Sequence, residues 1–206
     1  MKDLFDRLKI SFFQSIAFLL YLIYAGYSST LKIVRLDHEF FPRHLVLDQN
    51  TIYAFWHSKT FALVPFFKDA RMGILTLRDW RNVIYDRICR QFGYSTLPIT
   101  NSGRAALELK KLLEQGRAIG LAVDGPHGPA GTVKPGVFFL AKTTGRPIVA
   151  MHVRALKSFR LKSRWDRYEI PWPFSEVVIS PARPLWVTVE NEKESERMIR
   201  IHLGDL

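Results

Sequence analysis

The sequence predicts an α/β fold, a mainly parallel sheet flanked by helices, preceded by an N-terminal hydrophobic helix. Two observations lead there. From residue 51 onward, short buried-looking apolar runs alternate with longer segments of helical periodicity. No repeat, low-complexity segment or Gly/Ser-rich linker divides the 206 residues, a length that suits one compact domain with a terminal appendage.

The appendage comes first. "ISFFQSIAFLLYLIYAGY", residues 10 to 27, is 18 residues without a charge, near the lower limit for a spanning helix. Lys2, Arg7 and Lys9 precede it as in a signal peptide, but no convincing small-residue cleavage site follows. Lys32, Arg35 and Arg43 follow, so the flanks give little orientation bias, and the basic domain prefers the cytoplasmic side. Apolar residues occupy every face. That pattern favours a helix that enters or lies in one leaflet over one that crosses, and over a buried core helix. The expected division is residues 1–35 for this membrane-associated helix and 36–206 for the α/β domain.

In the domain, "TIYAFW" and "MGILTL" read as short buried strands. "DWRNVIYDRICRQFG" reads as an amphipathic helix, with Val83, Ile84, Ile88 and Phe92 on one side and Gly93 as its stop. The strand "YSTLPI" follows. "NSGRAALELKKLLEQG" is the next helix, with Ser102 as N-cap, Leu109, Leu112 and Leu113 as its stripe, and Gly116 closing it. "RAIGLAV" is a strand ending at Asp124, and "DGPHGPAGTVKPG" a loop before the helical "VFFLAKTTG". "RPIVAMHV", "SEVVISP" and "LWVTVE" are strand-like, and "KESERMIRIHL" closes the chain as a helix.

Thirty Lys and Arg stand against 19 Asp and Glu, a formal charge of +11 that implies an anionic partner: nucleic acid, an anionic membrane surface or a phosphorylated substrate. Cys89 is the single cysteine, which excludes an internal disulfide and a thiolate metal cage and permits a reducing compartment.

Three places can carry chemistry. His57 sits just past a buried strand, where open α/β sheets put their sites, and a neutral imidazole there can accept a proton; a purely structural histidine is the alternative. The loop "DGPHGP" combines an acid, two glycines and two prolines at a strand end. Gly125 and Gly128 let backbone amides approach a ligand, which can be a phosphate or a developing oxyanion. Lys134 stands where a cation can assist an anion at the next helix start. "TNSGRAA" repeats the design: Ser102 opens a helix, and Arg104 in its first turn opposes the dipole unless it meets an anion, or else is a solvated side chain.

Together these elements resemble the lysophospholipid acyltransferase superfamily, and most of all its bacterial branch catalogued as a domain of unknown function. The resemblance covers roughly residues 45 to 185, most of one domain. His57 matches the histidine of the first block, "NSGRAA" the second, "VDGPHGP" the third (relatives have Pro-Glu-Gly), and "GRPIVAM" with Pro147 the fourth. It implies a fold like that of glycerol-3-phosphate acyltransferase and transfer of a fatty acyl group from a thioester to a lipid hydroxyl. His57 would be the general base, the Gly-rich loop the oxyanion holder, and Ser102, Arg104 and Lys134 the acceptor-phosphate candidates. It implies no metal and no bound cofactor; an acyl carrier protein or coenzyme A thioester is the cosubstrate. Acceptors among relatives are lysophospholipids, glycerol phosphates or lipid A precursors, and the site of action is the cytoplasmic face of the inner membrane.

The sequence departs from the superfamily at one position. The first block carries an aspartate five residues after its histidine, and here that residue is Ala62. The orienting acid fixes the tautomer and stabilises the imidazolium, so a replacement is expected. Asp79, after the strand "MGILTL", is preferred, although Trp80 stands where relatives have glycine; Asp124 is the second choice, since it can be needed to shape its own loop. Ala62 also supports a competing reading, a lipid-binding module that has lost the chemistry. The segment "SRWDRYEIPWPF", residues 163–174, interleaves aromatic and cationic residues, and Trp165, Tyr168 and Trp172 would sit at headgroup level beside Arg164 and Arg167. A nucleic-acid binder is a third reading, but no nucleic-acid motif is present and these residues lie in one Pro-broken loop.

Overall fold

The computed structural model describes residues 2–36, 50–77, 80–99 and 102–204, with the backbone alone at 2–12, 77, 80–83, 99 and 102. The chain begins with α1 (Lys2–Ser29) and β1 (Lys32–Arg35). It continues with β2 (Ile52–Phe55), a 3-10 turn (His57–Lys59), α2 (Thr60–Phe66), β3 (Gly73–Leu77), α3 (Trp80–Gln91) and β4 (Ser95–Ile99). Then come α4 (Ser102–Glu114), β5 (Ile119–Ala122), α5 (Gly136–Thr144) and β6 (Ile148–Ala155). A hairpin of β7 (Ser158–Arg160) and β8 (Glu169–Pro171), β9 (Glu176–Pro181) and α6 (Glu192–Leu203) complete it.

Seven strands form one sheet in the order β1-β9-β6-β2-β5-β3-β4. Every neighbouring pair is parallel except β6 with β9. The expected fold class is the one observed. β1 pairs with β9, so the sheet draws in residues on both sides of the division at 35/36.

The period of two along β2 builds the two halves of the core. Tyr53 and Phe55 face a cluster with α2, α3 and the inner side of α1, including Leu63, Phe67, Cys89 and Phe92. Ile52, Ala54 and Trp56 face α4, α5 and α6 through Leu109, Leu113, Phe138, Leu140, Ile199 and Leu203. β2 is therefore covered on both faces, which is why its four residues are all apolar and buried. Gly93 and Gly116, with φ of 87° and 78°, end α3 and α4 where expected.

"LWVTVE" is not a strand. Leu185 alone pairs, in a bridge with Ile148, and Trp186 and Val189 are exposed. The Asn191 side chain accepts the Thr188 amide and donates to the Trp186 carbonyl, taking backbone groups a strand would need and turning the chain into α6. The segment expected as one loop at 163–174 instead contributes β8 and the tip of the β7–β8 hairpin.

α1 packs its tyrosine side inward. Tyr21 and Tyr24 meet the Phe92 ring at 5.1 and 5.3 Å, and Tyr24 and Tyr27 meet Phe61 at 4.7 and 5.5 Å. Its other side leaves Phe18, Leu19, Leu22 and Ile23 about half exposed. Among the described residues no helix is long and apolar enough to cross a membrane.

Candidate active site

His57 and Asp124 leave the C-terminal ends of the adjacent central strands β2 and β5. The 3-10 turn after β2 starts at His57 itself, and the Thr60 hydroxyl donates to the His57 carbonyl at 2.6 Å, closing the turn. The imidazole is partly exposed, 28%, which leaves one ring edge open to a ligand.

Asp166 is the partner of that imidazole. His57 Nδ1 lies 2.7 Å from Asp166 Oδ2, and the carboxylate is fully buried. Arg164 closes a fork on the same carboxylate, Nε to Oδ1 and Nη2 to Oδ2, each at 2.9 Å, and the Tyr168 amide donates to Oδ1 at 3.2 Å. Burial alone would raise the Asp166 pKa; the Arg164 and His57 bonds outweigh it and hold the carboxyl below its ordinary range. An ionised acceptor on Nδ1 selects the Nδ1–H tautomer and leaves the lone pair on Nε2.

The sequence reading missed Asp166 because it sits at the tip of a hairpin 109 residues from His57. One signal was present: a single acid inside a run that carries Arg160, Lys162, Arg164 and Arg167. Asp79, the preferred replacement, lies outside the described residues. Ala62, where the superfamily has its acid, is buried in α2 within the core.

Asp124 takes the loop-shaping task weighed for it and does not bond the His57 ring. Its Oδ1 accepts the backbone amide of His57 at 2.8 Å, and its Oδ2 the Gly131 amide at 3.4 Å. It holds the main chain at His57 and folds its own loop, while the ring belongs to Asp166. Burial pushes its pKa up, with the two amides opposing.

In the loop itself, Gly125 and Gly128 matter through close approach. A Cβ on Gly125 would stand 3.1 Å from His57 Cδ2, and one on Gly128, at φ 72°, 2.7 Å from Trp165 Cε3. The Gly125 amide donates to Ala122 O, so it is engaged within the loop. Lys134 Nζ donates to the Gly125 carbonyl at 2.9 Å, so this cation braces the loop. Arg104 is exposed in the first turn of α4, and among the described residues it does not line the cavity at His57.

That cavity is about 360 Å³ and runs from His57, Gly125, Pro126, Arg164 and Tyr168 into an apolar interior ending among Phe67, Met72 and Tyr94. Trp165 packs on His57 with ring centroids 5.3 Å apart. Arg164 stacks on Tyr168 at 4.9 Å, and burial pushes the Tyr168 hydroxyl up to about 12. Trp165, Tyr168 and Arg164 thus pack around His57 and its acid. Trp172, 55% exposed, and Phe174, 72% exposed, are the outward residues of this segment.

The crystal structure of the 1-acyl-sn-glycerophosphate (LPA) acyltransferase PlsC from Thermotoga maritima superposes over 95% of this chain and 86% of that one, with a TM-score of 0.56. The two chains share a fold. They are 15% identical in sequence, so what is shared is the fold alone. An uncharacterized protein of Rickettsia prowazekii (strain Madrid E) is 26% identical over 178 residues, 84% of this chain and 80% of that protein. No protein-family model matches the chain.

Proposed function

We propose that the chain is a membrane-associated acyltransferase, moving a fatty acyl group from an acyl carrier protein or coenzyme A thioester to a hydroxyl of a lysophospholipid or lipid A-type acceptor. The His57–Asp166 pair at the mouth of an apolar cavity carries this reading; the fold shared with PlsC supports it. His57 Nε2 takes the proton of the acceptor hydroxyl while its oxygen attacks the thioester carbonyl carbon. Asp166 stabilises the imidazolium formed. Collapse of the tetrahedral oxyanion breaks the C–S bond, and the imidazolium returns its proton to the departing thiolate. The acyl chain lies in the apolar cavity, whose size falls in the range of small-molecule sites. Gly128 remains the loop candidate for the oxyanion, and Ser102, Arg104 and Lys134 remain candidates for the acceptor phosphate.

The half-exposed face of α1 and the outward Trp172 and Phe174 are the proposed contact with the cytoplasmic face of the inner membrane. The two segments are tied at the end of α1, where Tyr27 donates to Pro171 O at 2.7 Å and the Phe174 amide donates to the Thr30 hydroxyl.

Detergent-solubilised protein, offered labelled acyl carrier protein and acyl-coenzyme A with lysophospholipids and a lipid A precursor, tests the reading. Transfer should fall about 10³–10⁴-fold in Asp166→Asn and at least as far in His57→Ala. Folded wild-type protein that transfers to no acceptor points to the lipid-binding alternative, in which the cavity holds a chain without reacting it.

A further inference from the structure

We propose that Lys59 and Glu169 form a positioning pair that sets the alignment of the His57–Asp166 dyad; the catalytic consequence rests on the acyltransferase reading, the geometric one does not. Lys59 Nζ donates to Glu169 Oε2 at 2.5 Å, with both side chains almost fully buried, 8% and 5% exposed. The contact runs parallel to the dyad. His57 and Lys59 are the first and last residues of the 3-10 turn, and Asp166 and Glu169 are the tip and the first strand residue of the β7–β8 hairpin. Two rungs, 57 to 166 and 59 to 169, therefore join the same two segments.

The second rung is needed because the hairpin stands outside the seven-stranded sheet. Nothing in the sheet ladder fixes its distance from β2, and the tip residues 161–168 turn through Arg167 at φ 48°. An ammonium and a carboxylate have a single good separation, whereas apolar contacts between a turn and a hairpin tolerate sliding. A buried ion pair is weak as a source of stability, since apolar residues of similar volume often replace it without loss. Its best attested use is to specify one register among several. Here the register is that of an acid against an imidazole, where a shift of about 1 Å is enough to cost about a hundredfold in rate. Arg160 Nη2, 3.3 Å from Glu169 Oε2, adds a partly exposed second cation that keeps the carboxylate on the β7 side.

The test compares wild type with the apolar double variant Lys59→Met/Glu169→Leu, with Lys59→Arg, and with Asp166→Asn. Nitrogen-15 NMR of the full chain in detergent reads the His57 ring tautomer and titration directly, without substrate. The double variant should keep its melting temperature within a few degrees and lose the Nδ1–H preference, as Asp166→Asn does. Where transfer activity exists, kcat of the double variant should fall about a hundredfold with KM within about twofold, and Lys59→Arg, which keeps the cation, should retain most of the wild-type kcat. A folded double variant whose His57 tautomer and titration match wild type overturns the proposal. So does unfolding of the double variant together with Glu169→Gln, since the pair would then stabilise the fold instead of tuning the site. Wild type without transfer, but with the tautomer shift in the variant, discards the acyltransferase reading and keeps the positioning role.

Discussion

Two buried carboxylates lie within reach of His57, and their environments push them in opposite directions. Asp166 has its folded pKa depressed by Arg164 and His57 against the effect of burial. The stability it contributes is fully present above the ordinary aspartate value of about 4 and is lost as pH falls through its lower folded value. Asp166→Asn should thus melt well below wild type at pH 7, with the gap closing as pH drops below about 4; a gap that is constant with pH would show that Asp166 is not held ionised. Asp124 has the opposite sign. Burial raises its pKa, so wild type should lose stability relative to Asp124→Asn as pH rises above about 4. At this scale the position of His57 was readable from sequence, because a histidine past a buried apolar run stands at a strand end. Its acid was not. The pairing depends on a contact across 109 residues, and the residue types flanking Asp166 suggested a surface belt.

Elements outside the sheet are where sequence and structure part. β2 to β6 and the helices α3, α4 and α5 follow from apolar runs and glycine stops, since each run buries its own face and needs no distant partner to be recognised; α2, without a glycine stop, was not anticipated. β7, β8 and the turn at His57 have three residues each, too short for any period to register. They are held by individual contacts, and α1 supplies two. Tyr24 donates to Phe61 O at 2.5 Å, just after the His57 turn, and Tyr27 to Pro171 O at 2.7 Å, just after Glu169. Removing the Tyr27 hydroxyl takes a part-buried hydrogen bond from Pro171 O, a net contribution of about 0.5–1.5 kcal/mol. Tyr27→Phe should lower the denaturant midpoint accordingly without altering the slope; an unchanged midpoint would mean water replaces the bond.

The molecule as a whole combines a charge of +11 with an apolar helix face that its own core does not cover. Full burial of a large apolar side chain is worth about 1.5–3 kcal/mol, so four half-exposed residues on α1 give an apolar drive of several kcal/mol toward a lipid surface. Vesicles containing anionic lipid should float the protein. Binding should weaken as salt rises, through screening of the basic surface. Leu19→Glu with Ile23→Glu should abolish flotation and leave the melting temperature near wild type, while flotation equal to wild type would remove α1 as the contact. One feature of the dyad reaches beyond this chain. His57 stands on the turn that leaves β2 and Asp166 on a hairpin outside the sheet, so the two can change places in the sequence independently while their contact stays put. A pattern that demands histidine and acid within one block passes over any chain built this way, although its imidazole still meets a buried carboxylate.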